Sequence, residues 1–188
     1  PNVVPGGGGD IWPCKPNTET GLKERGFEFL AEMERLHMIV DVSHLSDRGF
    51  WDIAEHSTRP FAASHSNCRA LAPHCRNLTD EMIRVMAEKG GLVGLNYCSG
   101  FLDDQPRPEL CRSTTALMAR HAAHFKQVGG IEIIGLGSDF DGIGGKLEMG
   151  DCSKLPLLAD ALRKEGFTED EVEQIFFRNA QRFFEENL

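Results

Sequence analysis

The sequence contains no apolar run approaching the about eighteen residues that a transmembrane helix needs. It also lacks a basic-then-apolar leader, since it begins Pro1-Asn2-Val3-Val4-Pro5, and it lacks an apolar tail, ending Glu185-Glu186-Asn187-Leu188. The expectation is a soluble chain without a membrane segment. Positive charge is in short supply: 20 Lys+Arg stand against 29 Asp+Glu, a net of −9, which argues against a nucleic-acid or anionic-membrane partner. No C-x-x-C pair occurs among the six cysteines, Cys14, Cys68, Cys75, Cys98, Cys111 and Cys152, so a zinc ribbon has no support. Their even number admits three disulfides. However, a chain of 188 residues can build its core without staples, and mostly free thiols in a reducing, cytoplasmic setting are expected.

What is present is a globular composition, 40% hydrophobic and 26% charged, of a length suited to one domain spanning residues 1–188. Residues 1–20 are rich in Pro and Gly and read as a surface loop. The run Gly6–Gly9 resembles a phosphate loop only superficially, having no strand before it and no suitably placed lysine after it. From Gly21 a helix-then-strand unit repeats. Phe27, Leu30, Met33 and Leu36 recur at helical spacing, and Met38 to Val42 reads as a first strand. Ser46-Asp47 opens a helix to about His56, and Pro60 to Ser64 is a second strand. A helix opening at Thr79 and stopped by Gly90-Gly91 precedes a third strand, Leu92 to Asn96, and a helix over about 112–128 precedes a fourth, Ile133 to Gly137. Helices near 155–164 and 168–186 close the chain.

Helices alternating with short apolar strands predict an α/β fold with parallel strands, whose chemistry lies at the strands' carboxyl ends. Polar side chains cluster there: Asp41-Val42-Ser43-His44, Ala63-Ser64-His65-Ser66-Asn67, Asn96-Tyr97 and Ser138-Asp139-Phe140-Asp141-Gly142. Period-2 alternation puts His44 on the face of Val40 and Val42, and His65 on that of Phe61 and Ala63. The two histidines lie 21 residues apart, one repeat, so they fall at equivalent points of neighbouring strands about 4.8 Å apart and can share a metal. A lone strand-end histidine is more often a hydrogen-bonded structural residue. Two in register, with Asp139 at another strand end as a further ligand or proton carrier, favour a metal site. Arg76 by itself reads equally well as a solvated loop arginine, Asn96 and Tyr97 as pocket lining or as structure, and Asp141 as a turn residue. His37, His56, His74, His121 and His124 read as surface residues.

The motifs Asp41 to Ser46, Ala63 to Asn67, Arg76-Asn77-Leu78-Thr79-Asp80 and Gly135 to Gly142, with Arg35 to Val40 and Asn179, together resemble the renal (membrane) dipeptidase family. The resemblance implies a TIM-like (β/α)8 barrel with two Zn2+ ions that hydrolyses dipeptides, including those with D-configured second residues, by a metal-bound hydroxide. It implies that His44 and His65 bind one zinc, that Arg76 holds the substrate's terminal carboxylate and that Asp139 handles protons; Asn96 and Tyr97 are expected to border the substrate from their strand-end position alone.

The family's His-x-Asp for the other zinc and its bridging glutamate have no counterpart in this chain. The chain is also shorter than the about 250 residues of a typical barrel. It therefore reads as the last four βα units, with a dipeptide, an N-terminal half or a second copy as partners. Two alternatives from other classes stay open: an inactive α/β fragment or binding module, and a single-metal amidohydrolase using His44, His65 and Asp139.

Overall fold

A computed structural model describes residues 20–188; residues 1–19 of the expected leading loop, with Gly6–Gly9 and Cys14, lie outside the described residues. The amphipathic repeat around Leu30 forms α1 (Glu24–Arg35). Ser46, whose Oγ accepts from the Gly49 N–H at 3.0 Å, opens α2 (Asp47–His56). Strand β1 (Ala62–Ala63) is followed by α3 (Asp80–Glu88), capped by Thr79, and by β2 (Leu92–Leu95). A short helix that the sequence pattern did not suggest, α4 (Ser99–Leu102), comes before α5 (Thr115–Gly129) and β3 (Ile134–Leu136). The chain ends in α6 (Leu155–Glu165), α7 (Glu169–Glu173) and α8 (Asn179–Asn187), where a π-helical segment, Gln174–Arg178, interrupts the single helix expected near 168–186.

The three strands pair in parallel in the order β1-β2-β3, with Ala63 beside Val93 and Val93 beside Ile134. This is the α/β arrangement expected. The strand expected over Met38–Val42 is reduced to one parallel bridge, Asp41 to Ala62, although Val42 N–H still donates to Ala62 O (2.8 Å) and Ala62 N–H to Val40 O (2.9 Å). Two neighbours cut it short. His37 sits at φ +56 immediately after α1, and a turn closed by Leu45 N–H to Val42 O (3.0 Å) follows, leaving only a few residues extended.

One sheet face is the core: Val40, Val42, Phe61, Ala63, Val93 and Leu95 pack against Phe50, Ile53, Met82 and Phe125 from the helices. Burial of each large apolar side chain contributes about 1.5–3 kcal/mol. On the other face Ala62 and Leu92 meet Phe183 of α8, with Ile39 and Ala180 alongside. Asp41 and Ser64 alternate with the core residues and are exposed on that second face. Cys68, Cys98, Cys111 and Cys152 are free, as expected of most thiols here, whereas Cys75 is disulfide-bonded. Among the described residues no helix is long and apolar enough to cross a membrane.

Candidate metal centre

His44 and His65 meet at the carboxyl end of the sheet, Nε2 to Nε2 at 2.9 Å, with ring centroids 4.9 Å apart and planes tilted by 57°. The bridge between Asp41 and Ala62 sets the two segments side by side, so the side chains that follow are brought into reach. The route differs from strand alternation. The face shared by Val40 and Phe61 is the helix-covered core, and the imidazoles do not lie in it: His44 is exposed and His65 half-buried, because His44 lies within the turn that Leu45 closes and His65 lies just past β1. Partial burial and the nearby Arg76 guanidinium both lower the pKa of each ring, against the opposing pull of Asp41 and Asp139. Neutral imidazole is the form that offers a lone pair to a metal.

Behind the pair lies a hydrogen-bonded cluster to which the sequence reading gave no role. Asp41 Oδ1 accepts from Ser43 N–H (3.0 Å), Ser43 Oγ–H (2.7 Å) and Ser64 N–H (3.0 Å), and Asp41 Oδ2 accepts from Ser64 Oγ–H. Ser64 Oγ also lies 2.7 Å from Nδ1 of His65, and Ser43 Oγ accepts from His65 N–H at 3.0 Å. Partial burial raises the Asp41 pKa, but the hydrogen bonds from Ser64 and Ser43 outweigh it and hold the carboxyl below its usual value. The signal available in the sequence was the strand-end setting of Asp41 and the adjacency of Ser64 to His65.

Arg76 is a half-buried residue of the turn after His74 rather than a solvated loop arginine. Its Nε–H donates to Ser43 O at 2.7 Å, its Cζ lies 5.3 Å from the Phe101 ring centroid, and its Nη2 is buried without a partner. Burial lowers its pKa, and Asp139 and Asp41 pull the other way. Asp139 holds a left-handed backbone, φ +62, and its Oδ2 accepts from Asn96 Nδ2–H at 3.1 Å. Its turn is closed by Gly142 N–H to Asp139 O (2.9 Å), and a Cβ on Gly142 would meet Asp139 Oδ1 at 2.3 Å, so a side chain at 142 would displace that carboxylate.

Asn96 is fully buried. Its N–H donates to Asn67 Oδ1 (3.1 Å), and its Oδ1 accepts from Cys98 N–H (2.6 Å). Asn67 and Asn77 extend this buried amide network, Asn77 Oδ1 accepting from Asn67 N–H at 3.1 Å, so that the turn bearing Arg76 and the end of β2 are tied together. Tyr97 lies in the core with its ring edge-on to Phe140 and an unpartnered phenol whose pKa burial pushes well up. Cys98, half-buried and under the charges of Asp139 and Arg76, also escaped the sequence reading; burial raises its thiol pKa.

Two histidines expected on the surface are buried. His74 accepts from Arg76 N–H (3.1 Å) and packs on Phe101. Nδ1 of His121 accepts from Cys68 N–H (3.0 Å), its Nε2 lies 3.1 Å from Leu102 O, and burial pushes its pKa down to about 4. His124 is half-buried against Asp80, while His37 and His56 are exposed as expected.

Among the described residues no group of three or more His, Cys, Asp or Glu side chains is arranged to hold a metal. The donor chemistry of the His44–His65 pair fits two of the four positions that zinc normally fills.

Residues 12–187 match the family model described as membrane dipeptidase (peptidase family M19). A protein of the pqqA 5' region of Klebsiella pneumoniae is 38% identical over 171 residues, covering 91% of this chain and 63% of its own length. The crystal structure of dipeptidase AC, a metallo peptidase of family M19, superposes with a TM-score of 0.86 at 35% identity, over 94% of this chain and 52% of that one. A metallo peptidase from Rhodobacter sphaeroides, liganded with a phosphinate mimic of the dipeptide L-Ala-D-Ala, also gives 0.86 at 35% identity, over 94% of this chain and 50% of that one. The chain thus spans about half the length of these solved structures.

Proposed function

The chain belongs to the membrane dipeptidase family, and from that premise we propose that it supplies one part of the active site of a zinc-dependent dipeptidase. The observation that carries this reading is the convergence of His44 and His65, Nε2 to Nε2 at 2.9 Å, at the carboxyl end of a parallel sheet. In this reading the two Nε2 atoms hold one zinc. When bound, zinc polarises the scissile carbonyl and activates water at neutral pH.

The chain's own groups do the rest. Arg76, held by Ser43 O and Phe101 and with Nη2 buried and unpartnered, is set to receive the terminal carboxylate of a dipeptide through a planar guanidinium. Asp139, aimed by Asn96, moves the proton between the attacking water and the leaving amine. Of the two residues expected to border the substrate, Asn96 acts through Asp139, and Tyr97 supports the site from the core. A dipeptide with a D-configured second residue is the proposed substrate, supported by the L-Ala-D-Ala mimic bound to the Rhodobacter sphaeroides relative.

We read residues 1–188 as part of one catalytic domain. The parallel strands are proposed to be the last four units of a (β/α)8 barrel, completed by an N-terminal half that carries the second zinc's ligands and the bridging glutamate. Superposition at a TM-score of 0.86 on about half of each relative supports this. The experiment is calorimetric titration of zinc into the chain and into its His44→Ala and His65→Ala variants. Each variant should bind at least about tenfold more weakly; unchanged affinity would remove the pair from the site.

One observation favours a second reading, an inactive α/β fragment or binding module: the described residues contain no three-ligand group. Hydrolysis of L-Ala-D-Ala by the chain, alone and mixed with the N-terminal half of a family member, separates the two.

A further inference from the structure

The hydrogens around His65 can be counted. Asp41 has two oxygens that only accept, so the Ser64 hydroxyl, bonded to Oδ2, must spend its single hydrogen there. That same Ser64 Oγ lies 2.7 Å from His65 Nδ1 and can therefore only accept from it. Nδ1 carries the proton, and Nε2, the atom 2.9 Å from Nε2 of His44, is left with its lone pair.

We propose that Asp41 and Ser64 form a positioning relay that fixes His65 in the Nδ1–H tautomer and so makes Nε2 a metal ligand. The relay rests on the zinc reading given above only for its purpose; the tautomer itself follows from the hydrogen bonds. Direct carboxylate-to-histidine contacts of this kind are usual behind metal-bound histidines and raise the ligand's basicity, and here a serine hydroxyl is interposed. Asp41 is itself locked. Its Oδ1 accepts from two backbone N–H groups, those of Ser43 and Ser64, and from Ser43 Oγ–H, so the carboxylate cannot turn away from Ser64.

That lock makes an isosteric variant informative. In Asp41→Asn the two backbone donors force the amide oxygen into the Oδ1 position and the amide nitrogen into the Oδ2 position. The nitrogen then donates to Ser64 Oγ, whose hydrogen turns toward His65 Nδ1, and the ring is driven to the Nε2–H tautomer, which has no lone pair to offer there. Ser64→Ala removes the bridge, and Ser64→Thr keeps it. Ser64 is exposed, so neither change at that position empties a core site.

The test uses the 188-residue chain and two readouts. Nitrogen-15 NMR of the metal-free chain reads the His65 tautomer, and titration with zinc ion reads affinity. The expected result is Nδ1–H in the wild type and in Ser64→Thr, Nε2–H in Asp41→Asn, and a mixture in Ser64→Ala. Zinc affinity should fall about 10- to 100-fold in Asp41→Asn and Ser64→Ala and stay within a few-fold of wild type in Ser64→Thr. An Nδ1–H ring in Asp41→Asn, or wild-type zinc affinity in both disrupting variants while His65→Ala loses zinc, overturns the relay. Zinc binding indifferent to His65→Ala overturns the metal reading instead, and the metal-free NMR still decides the tautomer.

Discussion

Individual side chains in this protein do chemistry that their neighbours dictate. His44 and His65 share a residue type with His121, yet the first two stand at an open sheet end and the third is sealed in the core between Cys68 N–H and Leu102 O. His121 is held neutral by that arrangement, because its Nδ1 must accept and only Nε2 can donate. Its folded pKa is about 4, against an ordinary 6.5. Below 6.5 the unfolded chain takes up a proton that the folded chain refuses, so this contribution is fully present above 6.5 and is lost as pH falls toward 4. The loss is on the order of 3 kcal/mol at about 1.4 kcal/mol per pKa unit. Urea midpoints at pH 7 and pH 4.5 should show the drop in the wild type and a markedly smaller one in His121→Gln. Equal drops in both proteins would sink the assignment.

At the scale of elements, the site depends on how closely β1, β2 and β3 approach one another at their carboxyl ends. Gly94 in β2 and Gly137 just past β3 make this approach possible: a Cβ on Gly94 would meet Ser64 O at 2.0 Å, and one on Gly137 would meet the same oxygen at 1.9 Å. Ser64 O belongs to the residue that bridges Asp41 and His65, so crowding there displaces the relay as well as the sheet. Gly94→Ala should destabilise the chain by about 3 kcal/mol or more, the upper range for overpacking, and weaken zinc binding together with it. A denaturant midpoint that does not move would contradict the close approach. The helix starts were legible in sequence because their caps are local: Ser46, Thr79 and Thr168 each accept from a backbone N–H three residues on. The truncated first strand was not, because His37 at φ +56 and the turn at Leu45 limit it through backbone geometry that apolar patterning does not encode.

For the whole molecule, the described residues present two imidazoles, an arginine and an aspartate at one end of an open three-stranded sheet, without a third metal ligand. Asp41, His44 and Ser64 stand exposed there. The expectation is that the purified 188-residue chain binds zinc weakly and turns over L-Ala-D-Ala poorly or not at all, and that both improve on mixing it with the N-terminal half of a family member. Metal analysis and a dipeptidase assay check this; two tightly held zincs per chain with robust turnover would show that the site is complete as it stands.

The sequence by itself determined the α/β alternation, most helix boundaries, and the candidates His44, His65 and Asp139, because periodicity, caps and strand-end motifs are written in neighbouring residues, while Arg76 came only through the resemblance its motif carries. Only the tertiary structure decided that the valine-bearing face points to the helices, that His74 and His121 are interior, that Asn96 serves Asp139, and that Asp41 reaches His65 through Ser64. Each of these depends on contacts between segments about twenty or more residues apart or on a turn that breaks alternation, and hydrogen-bond direction exists only once donors and acceptors face each other in space.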